Sequence, residues 1–309
     1  MTTPAYVAVD WGTSSFRLWL MAADDRVLAE RRSGEGMTTA ARLGFAGVLD
    51  AHLDAVKAPA DLPVIVCGMA GARQGWIEAG YVDVPCALSA VLDGAVSVPG
   101  TKRDVRILPG LAQRSGTPDV MRGEETQLLG ALSTFGDGER HVCMPGTHSK
   151  WVHVANGAVT GFSTFMTGEL FDVISKHSIL AHTLAGAEGS DAAEFGEAAE
   201  AAFRQPALAT NFFFGIRAAQ LLNGLGPTAA QSRLSGTLLG LELAGAHAAA
   251  KPGTAIALVA SGRLQSLYEA AFQRLGLEYA TIDADDAVRR GLAAAARSIW
   301  PQQQESHTA

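Results

Sequence analysis

Residues 6 to 19 read Tyr6-Val7-Ala8-Val9-Asp10-Trp11-Gly12-Thr13-Ser14-Ser15-Phe16-Arg17-Leu18-Trp19. An apolar run ends in Asp10, a small polar turn spans Gly12 to Ser15, and a second apolar run leads away from Phe16 to Met21. The pattern predicts strand, turn, strand, with a carboxylate at the end of the first strand. Gly12 lets the backbone approach a ligand without a Cβ in the way. The N–H groups and hydroxyls of Thr13, Ser14 and Ser15 can then point at phosphate oxygens. Asp10 repels phosphate, so its natural partner is a divalent cation that also touches the phosphates. An isolated Asp-x-Gly-Thr is more often an ordinary hairpin turn. Here hydrophobic β-structure flanks it on both sides.

The chain has 309 residues, enough for two domains of ordinary size. Nearly half of them are apolar and 18% are charged, so a sizeable core can form. The net charge is −7 and there is no basic patch, which argues against nucleic acid as a partner. Cys67, Cys86 and Cys143 sit in or near apolar runs at irregular spacing, as buried thiols do in a reducing compartment. The Met-Thr-Thr-Pro start lacks a basic region followed by an apolar one, and no apolar run reaches the ~20 residues that cross a bilayer. The expectation is a soluble, cytoplasmic protein without a membrane partner.

Beyond the hairpin, 26–32 predicts a third strand and 38–57 a helix with Leu43, Val48, Leu49, His52, Leu53 and Val56 largely on one face. Val64 to Cys67 is a short buried strand running into Gly68-Met69-Ala70-Gly71-Ala72-Arg73. Residues 76–103 show no period and read as loops with short strands. Val105 to Leu108 is a strand, and Glu124 to Phe135 a helix stopped by Gly136-Asp137-Gly138.

A similar order then restarts. His141 to Met144 is a strand, Pro145 to Ser149 a glycine-containing turn, Lys150 to Val154 a strand, and Asn156-Gly157 a hairpin signal before Val159 to Phe165. Helices are expected from about 169, 190, 206 and 228. A strand over Ala255 to Ala260, a helix over Leu264 to Leu275, a strand over Glu278 to Ile282 and a helix over Asp286 to Ile299 close the chain. Phe212-Phe213-Phe214 reads as core, and His148, His153, His177 and His182 show no spacing that selects a metal.

The expected fold class is α/β: two ribonuclease H-like lobes, each a three-stranded meander plus alternating helices and strands, flanking a central cleft. Residues 1–138 form the N-terminal lobe, joined by the C-terminal helix 286–300. Residues 139–285 form the C-terminal lobe, and 301–309 a polar tail.

Several residues can carry chemistry. The second turn offers the backbone of Gly146, Thr147 and His148, the hydroxyls of Thr147 and Ser149, and Lys150. Gly262 follows a buried strand at a Ser-Gly step before a helix, where an adenine can lie against the backbone. Met121-Arg122-Gly123-Glu124-Glu125-Thr126-Gln127 puts two carboxylates and an arginine at a helix start. Phosphoryl transfer to a hydroxyl needs a carboxylate to orient it and accept its proton, and Glu124 or Glu125 can do so. Acids in a first helical turn are also favoured by the macrodipole alone. Arg122 can hold an anion bidentately. Arg17 and Arg73 are further candidates for an anionic substrate, Arg73 because it follows a strand end where α/β proteins place ligands.

The first turn resembles the first phosphate loop of the superfamily of acetate and sugar kinases, heat-shock ATPases and actin. No Walker loop occurs. The superfamily usually has an acid before the second glycine, where Met144-Pro145 stands here, so Asp10 is left as the metal residue. Val9 to Thr13, Gly68 to Gly71, Met121 to Gly130, Met144 to His148 and Thr167-Gly168-Glu169-Leu170 together look like the 2-dehydro-3-deoxygalactonokinase family, over roughly residues 5 to 298. That resemblance implies transfer of the ATP γ-phosphoryl group to the terminal hydroxyl of 2-dehydro-3-deoxy-D-galactonate, in galactonate breakdown. It implies ATP and Mg2+, with the metal on Asp10 and the phosphates on the 12–15 and 146–149 turns. Adenine would lie at Gly262, the sugar-acid carboxylate on Arg17, Arg73 or Arg122, and a homodimer is compatible with it. Two rivals share the fold: an exopolyphosphatase-like phosphohydrolase and a non-catalytic sugar-acid sensor.

Overall fold

The structure is a computed structural model that describes residues 3–135 and 138–301. The tail expected over 301–309 lies past Pro301 outside the described residues, as do Gly136 and Asp137 of the expected helix stop. The first half of the chain holds strands β1 (Pro4–Trp11), β2 (Phe16–Ala22), β3 (Val27–Ser33), β4 (Val64–Gly68), β5 (Tyr81–Asp83), β6 (Cys86–Ala87), β7 (Val96–Ser97), β8 (Val105–Ile107), β9 (Gly110–Gln113) and β10 (Asp119–Met121). Its helices are α1 (Met37–Leu43), α2 (Phe45–Ala55), α3 (Ala90–Asp93) and α4 (Glu124–Phe135). The second half holds β11 (Glu139–Met144), β12 (Ser149–Ala155), β13 (Ala158–Phe165), β14 (Ala255–Ala260) and β15 (Tyr279–Asp283). Its helices are α5 (Thr167–His177), α6 (Ala181–Leu184), α7 (Ala192–Arg204), α8 (Ala209–Asn223), α9 (Pro227–Ala249), α10 (Gly262–Leu275) and α11 (Ala284–Ile299).

The fold class is α/β, and the chain divides into two compact units. One comprises residues 1–138, 154–161 and 282–309; the other comprises 139–153 and 162–281. In the first unit the sheet runs β3-β2-β1-β4-β8-β7. The meander β1 to β3 is antiparallel, and β4 and β8 continue the sheet in parallel to β1. Alternate residues of a strand face opposite sides. Val7, Val9 and Trp11 accordingly join a core with Phe16, Phe45, Leu49 and Leu53, under α2. The other face carries Ala8 and Asp10, and α11 packs against β1 and β4 there and against α4.

In the sheet that starts from β11 the strand order β13-β12-β11-β14-β15 repeats that of the first meander and its parallel continuation. β11 and β14 are parallel, as β1 and β4 are. Trp151, Leu243, Leu258, Tyr268 and Phe272 fill one core, and Leu180, Ile216, Leu234 and Leu238 a second one among the helices.

Two expectations need correction, and one segment left unassigned holds structure. The helix foreseen over 38–57 is two helices, broken at Gly44, whose φ of 91° no continuous helix accommodates. Residues 110–121, which the sequence reading left unassigned, hold two strands that form a separate sheet with β5, order β10-β9-β5, in which β9 pairs with both neighbours. Phe214 is 65% exposed rather than core, while Phe213 packs against the helical core. The cysteines are free thiols, Cys67 and Cys143 buried and Cys86 half-buried. Among the described residues no helix is long and apolar enough to cross a membrane.

Candidate functional site

In the first unit the hairpin turn is held from behind. Gly12 N–H donates to the Ser15 carbonyl at 2.9 Å. The first N–H groups of α1, from Met37 and Thr38, donate to the carbonyls of Gly12 and Thr13 at 2.9 and 3.1 Å. Gly36 sits so close that a Cβ there would lie 2.6 Å from the Ser14 Cα. With its carbonyls engaged, the turn leaves Thr13, Ser14 and Ser15 exposed to solvent.

Asp10 pairs in register with Arg17 on β2 and with Cys67 on β4. Arg17 Nη2 donates to Asp10 Oδ2 at 2.5 Å, and its Nη1 to Asp285 of α11. Burial works against the charge of Arg17, but Asp10 and Asp285 more than restore it and hold the guanidinium protonated. Arg17 is thus engaged inside the unit, on the residue foreseen to hold the metal. Asp10 Oδ1 faces Gly68, where a Cβ would stand 3.4 Å from it and 2.7 Å from the Trp11 carbonyl. Gly68 has φ 90°, so both space and backbone require glycine there.

The helix start of α4 arrives at the same place. Gly123 lies against Gly68, its Cβ position 3.5 Å from the Gly68 Cα. Burial pushes the Cys67 thiol well up, with the charges of Asp10 and Glu125 adding to it. Asp10 and the Gly-Glu-Glu helix start therefore converge on the end of β4. The two glutamates are not equivalent. Glu124 is partly exposed and accepts the Arg122 N–H at 3.0 Å. Glu125 is fully buried and accepts from Gly123 N–H at 2.6 Å and Thr126 Oγ1 at 2.9 Å. Burial, and then the Glu124 charge, push its carboxyl up to about 8.

Arg122 and Arg73 fall differently. Arg122 donates Nη2 to the carbonyls of Ala79 and Gly80, at 2.6 and 3.1 Å, and lies 4.5 Å from the Tyr81 ring centroid. Its Nε and Nη1 are enclosed without a hydrogen-bond partner among the described residues, Nη1 against Gly71. Through Nη2 it braces the 79–81 segment. Arg73 is 82% exposed and meets Glu78 at 3.5 Å.

In the second unit the turn after β11 is also braced by a helix start. Glu169 N–H donates to the Thr147 carbonyl at 3.0 Å, and a Cβ on Gly168 would lie 2.7 Å from the Gly146 carbonyl. Thr147 and His148 are exposed, and His148 Nε2 pairs with Glu169. Ser149 and Lys150, both foreseen as phosphate contacts, turn inward. Ser149 Oγ hydrogen-bonds Tyr268 at 2.8 Å, and Lys150 Nζ donates to the His148 carbonyl at 3.2 Å. The strand period puts position 149 on the core face. Beneath lies Glu242, which accepts from Trp151 Nε1 at 2.8 Å, from Tyr268 and from Thr167. Burial raises its carboxyl, and those donors oppose the rise. A lone acid inside Leu241-Glu242-Leu243 was the available signal for this network.

Gly262 opens α10 with φ 63°, and nothing lies within 4 Å of its Cβ position. Further along α10, Arg263, Ser266 and Leu267 line a cavity of about 220 Å3 with Phe171, Asp191 and Ser235. Among the described residues no group of three or more His, Cys, Asp or Glu side chains could hold a metal by itself.

The sequence model of the 2-keto-3-deoxy-galactonokinase family matches residues 10–295. The chain is 58% identical to a Rhizobium meliloti (strain 1021) protein named "Probable 2-dehydro-3-deoxygalactonokinase DgoK1", over 97% of this chain and 100% of that one. It is 34% identical to the Escherichia coli (strain K12) 2-dehydro-3-deoxygalactonokinase, over 96% and 99% of the two chains. A crystal structure of a candidate 2-dehydro-3-deoxygalactonokinase protein from Sinorhizobium meliloti superposes with a TM-score of 0.93, at 58% identity over 96% of this chain and 99% of that one. The chain belongs to the 2-keto-3-deoxy-galactonokinase family.

Proposed function

We propose that this ATP-dependent carbohydrate kinase transfers the γ-phosphoryl group of ATP to the C6 hydroxyl of 2-dehydro-3-deoxy-D-galactonate, a cytoplasmic step of galactonate breakdown. The observation that carries the site assignment is the convergence of Asp10, Gly68 and the Gly123-Glu124-Glu125 helix start within one unit. It brings a cation-binding carboxylate and a hydroxyl-orienting carboxylate to one strand end.

The donor set suits Mg2+, which is held by one or two carboxylates plus phosphate oxygens rather than by an all-protein cage. Asp10 Oδ1 is the oxygen left for it, since Oδ2 is engaged by Arg17. When bound, Mg2+ neutralises charge on the phosphates. In the first unit the exposed Thr13, Ser14 and Ser15 offer donors to those phosphates. Within the second unit, Gly146, Thr147, His148 and Gly262, with the cavity beside Arg263 and Ser266, are that unit's nucleotide-binding residues.

Glu124 orients the acceptor hydroxyl and takes its proton. Glu125 is enclosed and, with its carboxyl near 8, holds a proton at neutral pH, so it is a poor base. Arg73 or Arg122 meets the sugar-acid carboxylate: an exposed pair such as Arg73–Glu78 contributes ~0–1 kcal/mol and yields readily, and Arg122 has donors beyond the Nη2 that braces Ala79 and Gly80, whereas Arg17 is committed to Asp10 and Asp285.

A coupled ATP-turnover assay over 2-keto-3-deoxy sugar acids and neutral hexoses tests the reading, with the product phosphate located by NMR. Phosphorylation of the galacto acid at C6 is the expected result. Turnover on neutral hexoses alone, or phosphate release from ATP without any acceptor dependence, overturns it.

A further inference from the structure

We propose that Asp285 is a positioning residue for this reaction: it holds Arg17 so that Arg17 covers one oxygen of Asp10 and leaves the other for the cation. The inference rests on the reading of Asp10 as the cation's carboxylate.

Four charges of alternating sign lie in a row. Arg32 and Arg17 face each other across β3 and β2, and Arg17 faces Asp10 across β2 and β1. Asp285 accepts from both arginines, Oδ2 from Arg32 Nη2 at 2.7 Å and Oδ1 from Arg17 Nη1. Arg17 is left with Nη2 for Asp10. The side chains of Asp10, Arg17 and Asp285 are 15%, 21% and 27% exposed, so solvent screens them less than surface pairs. An arginine fork prefers to grip a carboxylate with two parallel hydrogen bonds. With Asp285 removed, no other member of that row holds Nη1 back, and Arg17 can close over both Asp10 oxygens.

The position of Asp285 comes from elsewhere in the unit. Asp283 caps α11 by accepting from Asp286 N–H at 2.8 Å, so Asp285 is not the cap. Gly291 and Gly130 clamp α11 to α4, backbone on backbone. The helix that carries Glu124 thus also sets where Asp285 meets Arg17. The sequence offered no signal for this role, because acids in a first helical turn are common.

The test uses the full chain with Asp285→Ala, Asp285→Asn and Asp285→Glu, and Asp10→Asn alongside. The readouts are the Mg2+ concentration for half-maximal turnover, Mn2+·ADP binding by paramagnetic resonance, and the thermal midpoint. Asp285→Ala should raise the half-saturating Mg2+ and weaken Mn2+·ADP binding about tenfold, the scale of one charged hydrogen bond. The KM for the sugar acid should stay within about twofold, and Asp285→Glu should recover most of the loss. In an Arg17→Met background, removing Asp285 should cost nothing further. Should Asp285→Ala not fold, the isosteric Asp285→Asn gives the same readings. Wild-type metal dependence in the Asp285 variants, or an equal further loss without Arg17, overturns the proposal. If Asp10→Asn itself binds Mn2+·ADP as wild type does, the assignment of Asp10 fails; if only the Asp285 variants do, the assignment stands and the positioning role fails.

Discussion

Gly130 of α4 lies against the Ala287 carbonyl of α11, closer than any Cβ would allow, and Gly291 makes the reciprocal approach to Thr126. Alanine normally favours a helix by ~1 kcal/mol over glycine. Here the overlap is with backbone, which cannot rotate aside, and overpacking of this kind costs about 1–3 kcal/mol or more. Gly130→Ala should therefore lower the thermal midpoint by several degrees. A midpoint equal to or above wild type would show that the two helices can separate freely.

The buried carboxyl of Glu125 ties stability to pH. Its folded value near 8 lies above the ordinary carboxylate value of 4.5. Above the unfolded value, the unfolded chain loses that proton first, so stability is fully present below about 4.5 and declines as pH rises toward 8, by at most about 1.4 kcal/mol per unit. Glu125→Gln lacks this slope. Urea unfolding of both proteins between pH 5 and 8 should show the variant gaining on wild type as pH rises. Parallel curves would mean that Glu125 is charged throughout.

Asp10→Asn keeps the shape of the strand end and removes the charge. Turnover should fall by at least about a hundredfold, while Arg17 remains held by Asp285 and the fold survives. Circular dichroism and thermal melting check the fold. Wild-type turnover in that variant would remove the cation from Asp10.

Gly36→Ala pushes a methyl group into the backbone of Thr13 and Ser14. The turn can shift outward, so stability should change by only about 1 kcal/mol, but misplaced donors should cut kcat/KM for ATP about tenfold or more. Equal kcat/KM for the two proteins would mean that the turn does not hold phosphate.

The elements that pattern strongly were legible in the sequence. The hairpin around Gly12, the helix at Glu124–Phe135 and the strand at Ala255–Ala260 sit where period and punctuation put them. Gly44 was not legible as a break, because the apolar face of α2 continues the spacing of α1 and only the backbone angle separates them. The strands at 110–121 are three and four residues long, too short for a two-residue period to register.

Side-chain direction was the harder part of the site. Arg17 and Arg122 read as candidates for an anionic substrate, and each has a long-range partner, Asp285 at sequence distance 268 and Ala79 at 43, that no local pattern announces. Ser149 reads as a turn hydroxyl but is the first residue of β12, so its hydroxyl points at Tyr268. The unequal burial of Glu124 and Glu125 depends on tertiary packing around α4, which includes α11 from far away in the sequence.

The chain passes from one unit to the other at 138/139, 153/154, 161/162 and 281/282. The short excursion 154–161 returns to the first unit, where Ala158 and Val159 pair with Ala87 and Cys86 and Asn156 N–H reaches the Gly138 carbonyl. A gene split at residue 138 would give a first fragment lacking its closing strand contact and α11, and a second carrying both as loose ends. Expressed apart, neither fragment is an autonomous module; a circular permutant opened at an exposed loop, which keeps every crossing, is the viable way to relocate the termini.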